Sequence, residues 1–147
     1  MEIKIKRRDY ENGPGHCQAG VLHINGRYYC DTEENAQDAL PAGKYRIVRH
    51  YCKHYERQMP LVLSQNQLPD CDQCLPLMEA NLNSIMPCHC PMLKPGNGVH
   101  KRTDGSILLG THINAACLVH PLHAFNPLAE RIRKAIRRGT EITLIIQ

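Results

Sequence analysis

Four cysteines and one serine hold most of the chemistry this sequence offers. Cys71 and Cys74 form a C-D-Q-C pair, and thirteen residues later Cys88 and Cys90 form a C-H-C pair around His89. Two close pairs separated by a loop can gather four thiolates around one tetrahedral Zn²⁺. The first spacing is standard; the second, with one intervening residue, is tighter than usual. Free thiols, or one or two disulfides, are the alternatives. His89 is placed to replace either neighbouring cysteine as a ligand. Four thiolates leave no open position for water, so the metal predicted here is structural rather than catalytic.

Ser106 is the candidate nucleophile. The polar stretch 94–105 feeds it, and the apolar run Ile107-Leu108-Leu109 follows at once. A hydroxyl at such a junction can be presented for attack. His100 and His112 are the nearby bases, each useful only if the fold brings it into hydrogen-bond reach. No Asp or Glu is clearly placed to orient either one. The opposing reading is that Ser106 and Asp104 fix a tight turn. His50, Cys52 and His54 recur at every second residue, which on a strand would put three ligands on one face. A plain polar face is the favoured reading, since no fourth ligand is evident, although Cys52 could also partner the main cluster. Cys17, Cys30 and Cys117 lie in apolar strand contexts and read as small buried hydrophobes. Cys17 and Cys30 flank one hairpin and could face each other.

The elements that must position these groups are mostly strands. Ile3 and Ile5 alternate with Lys4 and Lys6, a half-buried strand over 2–8. Residues 17–24 and 27–32 flank Asn25-Gly26, a strong hairpin signal. Turns are predicted at 12–15, 40–43 and 95–98, and further strands at 44–52, 60–64 and 107–109. Residues 65–91 are irregular, long for a loop in a compact domain, and a bound metal would explain why that is tolerated. A helix is predicted over 127–138, with Asn126 as N-cap, Pro127 at the first helical position and Gly139 ending it. Leu128, Ala129, Ile132, Ala135 and Ile136 make its apolar stripe. Residues 141–146 form a last strand, predicted to be central. The expected architecture is a single mostly-β (α+β) domain over 1–147 with a helix on one side.

Composition restricts the function classes. The apolar fraction of 42 % is enough for one core, and the absence of Trp with a single Phe makes it a core of Leu, Ile, Val and Tyr. A net charge of +4 suits solubility and does not by itself indicate nucleic acid. The arginines of the helix read as a solvated face, because no aromatic platform accompanies them; a nucleic-acid-binding zinc module is the weaker alternative. The charged, alternating N-terminus is neither a signal peptide nor a span, and no apolar run approaches membrane length. The predicted location is cytoplasmic, with export by another route as the alternative. In that compartment eight cysteines more often mean thiols and metal than disulfides.

Several short motifs, in order, carry a resemblance. They are Cys30-Asp31-Thr32-Glu33-Glu34, Leu40-Pro41-Ala42-Gly43-Lys44-Tyr45, Lys94-Pro95-Gly96-Asn97, Arg102-Thr103-Asp104-Gly105-Ser106-Ile107-Leu108-Leu109-Gly110, and Arg138-Gly139-Thr140-Glu141-Ile142-Thr143. Over nearly its whole length the chain resembles domain of unknown function family 5675, common in bacterial and phage-related genomes. The 94–110 block is in turn similar, more distantly, to the catalytic motif of L,D-transpeptidases, in which a cysteine attacks peptidoglycan stem peptides. The resemblance implies a β-sandwich or barrel-like sheet of the L,D-transpeptidase type with one C-terminal amphipathic helix and a final strand. This chain departs at the reactive positions. Ser106 stands where the family has its cysteine, Lys94 where it has a histidine, and Asp104 where the transpeptidase motif has a histidine. Candidate catalytic residues are therefore Ser106, His100, Lys94 and Asp104. Losing thiol and imidazole together points away from cysteine acyl transfer, since a serine hydroxyl needs an organised base. The expected function is a non-catalytic binding or structural domain with a degenerate site and a zinc loop. Its expected partner is a protein or a cell-wall fragment in a phage- or secretion-associated setting. A cell-wall peptide acyltransferase or hydrolase using Ser106 is the alternative.

Overall fold

The computed structural model describes residues 1–8, 17–69, 90–96, 105–114 and 117–147. Nine strands and one helix are assigned among them. In chain order they are β1 (Glu2–Arg7), β2 (Cys17–Ile24), β3 (Arg27–Asn35), β4 (Gly43–Cys52), β5 (Arg57–Leu63), β6 (Leu93–Pro95), β7 (Ile107–Asn114), β8 (Cys117–Val119), α1 (Pro121–Arg137) and β9 (Thr143–Ile146). The strands run β5-β4-β9-β1-β2-β3-β7-β6, with β8 added on β7. The two ends of that order meet: Leu61 bridges Met92, and the Val62 N–H donates to the Pro91 carbonyl at 2.8 Å. The protein is thus mostly β, a nearly closed barrel-like sheet with one helix, as the sequence predicts.

Local chemistry explains the frame. In β1 the alternation buries Ile3 and Ile5 against Leu22 and Leu144 of the neighbouring strands. Asn25 and Gly26 both take positive φ, the backbone that a two-residue hairpin loop requires. The Asn25 side chain also accepts from the Glu2 N–H at 3.0 Å, tying the turn to β1. As predicted, β9 is central, parallel to β1 and antiparallel to β4. Pro60 is tolerated inside β5 because its nitrogen faces away from β4: on the opposing strand Ile47, two residues from Pro60's partner Arg49, directs its N–H away from β5 to the Ile142 carbonyl just before β9.

Two of the family-like motifs form a latch. Arg7 donates to both carboxylate oxygens of Glu34, at 3.0 and 2.8 Å, and to the Leu40 carbonyl. The Tyr45 hydroxyl donates to the Pro41 carbonyl at 2.7 Å. Gly20 lies opposite Thr32, and a Cβ there would stand 2.8 Å from Thr32 Oγ1 and 3.0 Å from the Lys6 carbonyl oxygen, so only glycine fits.

Three expectations change. The helix begins at Pro121 rather than Pro127, so Pro127 lies inside it and Asn126 is not its cap; His120 is the N-cap residue and makes no side-chain cap bond. Pro121 already supplies the first-turn proline, and burying Phe125 together with Leu128 and Ile132 extends the apolar stripe by a turn. The C-terminus is as predicted: Gly139 has φ 70°, and the Gly139 and Thr140 N–H groups donate back to Ile136 and Ala135. β3 and β7 run longer than predicted, because pairing with neighbours carries polar residues such as Glu34 and Asn35 whose own strand propensity is low, and the three-residue strands β6 and β8 were not foreseen because each is too short to show a periodicity.

Candidate functional site

Ser106 and Lys94 are both part of the wall. Gly105, with φ 68°, turns the chain into β7, and a Cβ there would meet the Asp38 carbonyl oxygen at 3.2 Å. Ser106 is 2 % exposed, and its hydroxyl accepts from the Met92 N–H at 3.2 Å. That bond joins β7 to the segment entering β6, alongside the Ile107 N–H to Met92 carbonyl bond of 2.9 Å. Lys94, opposite Leu108 in the parallel β6–β7 ladder, is 1 % exposed, with its ammonium 5.8 Å from the centre of the Tyr55 ring. His112 lies six residues beyond Ser106 along the same strand, about 20 Å at the rise of an extended chain. It is far from the distance a general base needs. His100 and Asp104 lie outside the described residues.

Of the predicted zinc ligands, Cys71, Cys74 and Cys88 lie outside the described residues, as does His89. Cys90 is described and is 5 % exposed within the main core. Among the described residues no group of three His, Cys, Asp or Glu side chains is arranged to hold a metal. His50, Cys52 and His54 do not share one strand face. β4 ends at Cys52, and His54 lies in the following turn, edge-on to Tyr55 at 4.9 Å. Cys17 pairs with Asn35 and Cys30 with Leu22, so the two thiols stand at different places on the hairpin ladder and do not face each other. Cys30 is buried as expected, its thiol pushed up to about 12 by burial; Cys17 and Cys117 are half-buried.

The structure adds a cluster that the sequence reading did not assemble. Asp31 and Glu33 are two residues apart on β3, so they share a face, and His112 reaches them from β7. The His112 N–H donates to Asp31 Oδ2 at 2.9 Å. Its ring lies between the two acids, with Nε2 3.3 Å from Glu33 Oε1 and Nδ1 4.0 Å from Asp31 Oδ1. Neither ring nitrogen makes a well-directed hydrogen bond, and neither does either Glu33 oxygen. Glu33 is 0 % exposed. Burial pushes its carboxyl up to about 7 and pushes His112 down. Arg8 stands 3.8 Å from Asp31, and the Cys17 thiol is pushed up to about 11, first by burial and then by the Glu33 charge. The cluster's chemistry is the holding of a proton in a low-dielectric wall. Its sequence signal was five consecutive polar residues, Asp31 to Asn35, in a strand that also has to be buried.

Comparison with family models, curated proteins and solved structures gives no match for this chain.

Proposed function

We propose that this chain is a non-catalytic binding or structural domain, a degenerate relative of the L,D-transpeptidase-like proteins. The observation that carries this reading is Ser106: at the position of the family's nucleophile, a buried hydroxyl engaged with the Met92 N–H serves packing. A nucleophile needs an open approach, which a buried hydroxyl lacks, and His112, one of the candidate bases, is a strand's length away. Lys94, at the family's histidine position, lies beneath Tyr55 and is equally closed off. The loop with Cys71, Cys74, Cys88 and Cys90 would hold one structural Zn²⁺ and pin the long insertion. The partner class, a protein or cell-wall fragment in a phage- or secretion-associated assembly, rests on the motif resemblance alone.

The test is turnover and labelling. Wild-type protein and Ser106→Ala are incubated with peptidoglycan stem peptides and with a fluorophosphonate probe, and products and adducts are read by mass spectrometry. The reading expects no acyl transfer, no hydrolysis and no adduct at Ser106. Turnover that vanishes in Ser106→Ala would replace it with the acyltransferase or hydrolase alternative.

A further inference from the structure

A cleft of about 210 Å³ lies between α1 and the β4–β5 hairpin. The hairpin contributes Arg49, Arg57 and Gln58, and the helix contributes Asn126, Glu130 and Arg133. Three arginines thus line one small space, and Glu130 is the single carboxylate among its lining residues. That carboxylate is already committed. Arg133 grips both its oxygens, and Lys134 stands 3.6 Å away. These contacts, the Arg133 hydrogen bond first, hold the Glu130 carboxyl down at about 2.

Among the described residues Arg49 and Arg57 have no counter-charge. Arg57 lies 5.5 Å over the Phe125 ring, a contact that steadies a guanidinium while supplying no anion. Arg49 is half-buried and has no hydrogen-bond or ion-pair partner among the described residues. Two cations at one cleft repel each other, and a guanidinium has a planar fork of donors matched to a tetrahedral or planar oxyanion. The amides of Gln58 and Asn126 add neutral donors at the rim. A second, more apolar groove of about 380 Å³ adjoins this cleft, shares Arg49, and is lined by Val48, Ile136 and Ile142.

We propose that this cleft binds a phosphate-type oxyanion between Arg49 and Arg57, with the carbon portion of a phosphate monoester extending into the adjoining groove. The site is far from Ser106 in sequence and does not depend on the reading of that residue.

Titration of the ¹⁵N-labelled full chain at low ionic strength, with inorganic phosphate and separately with phenyl phosphate, tests it. Saturable shifts at Arg49, Arg57 and the facing turn of α1 are expected, with phenyl phosphate binding more tightly than inorganic phosphate. Arg49→Gln and Arg57→Gln should each weaken phenyl phosphate at least tenfold while leaving the rest of the spectrum in place. Arg27→Gln, an exposed arginine at the start of β3, should change nothing. Shifts that never saturate, or that are the same in Arg49→Gln as in the wild type, overturn the site. Equal affinity for the two probes overturns the role given to the groove.

Discussion

Glu33 and His112 should make the folding stability respond to pH in opposite directions. The buried Glu33 carboxyl rises from an ordinary 4.5 to about 7, so the folded chain holds a proton that the unfolded chain releases. Stability from this group is therefore full below pH 4.5 and is lost as pH climbs to 7. At about 1.4 kcal/mol per pH unit, the shift amounts to about 3 kcal/mol across that window. His112 acts in reverse. Burial lowers its pKa from 6.5, so below pH 6.5 the unfolded imidazole takes a proton that the folded one refuses, and stability falls as pH falls. Where the windows overlap, one proton is gained and one lost, and the wild type should be nearly flat. Urea unfolding from pH 4 to 8 separates the two. Glu33→Gln removes the high-pH loss, and its stability relative to wild type should rise by about 3 kcal/mol between pH 4.5 and 7. His112→Gln leaves Glu33 alone, so its absolute stability should fall with pH over the same range. If Glu33→Gln instead lost ground relative to wild type as pH rose, Glu33 would be an ionised carboxylate paired with imidazolium, and the reading of Glu33 as a buried protonated carboxyl would be refuted.

Further outcomes follow from the latch, the glycines and the metal. Arg7→Met strands the buried Glu34 carboxylate and should cost about 3–5 kcal/mol in chemical unfolding, whereas Arg7→Met combined with Glu34→Leu should recover much of it. Gly20→Ala forces a methyl group into Thr32 Oγ1 and the Lys6 carbonyl and should destabilise by about 1–3 kcal/mol, measured in the same way. For the zinc loop, protein purified without added metal should contain one zinc per chain. Chelation or Cys74→Ala should remove the zinc and lower the melting temperature; absence of zinc with Cys71, Cys74, Cys88 and Cys90 oxidised in pairs would end that assignment.

Much of the sheet was legible because its signals are local. The Ile3/Ile5 alternation, the Asn25-Gly26 turn and the Gly139 stop each specify backbone geometry within a few residues. The helix start was misplaced because two prolines offered the same signal, and the choice between Pro121 and Pro127 depended on where Phe125 packs. The Asp31, Glu33 and His112 cluster could not be read, since register between β3 and β7 brings together residues about eighty positions apart. Ser106 could be picked out as chemically interesting, but its burial depends on β6 and on Gly105 packing against Asp38, which no spacing encodes.

The most direct measurement of the central claim is the accessibility of position 106. In Ser106→Cys, iodoacetamide labelling of that thiol is followed by site-resolved mass spectrometry in native buffer and in urea. The account predicts a thiol protected in the folded protein and modified only as the chain unfolds. Rapid native labelling, at the rate of an activated exposed thiolate, would show an open nucleophile position and contradict the non-catalytic reading.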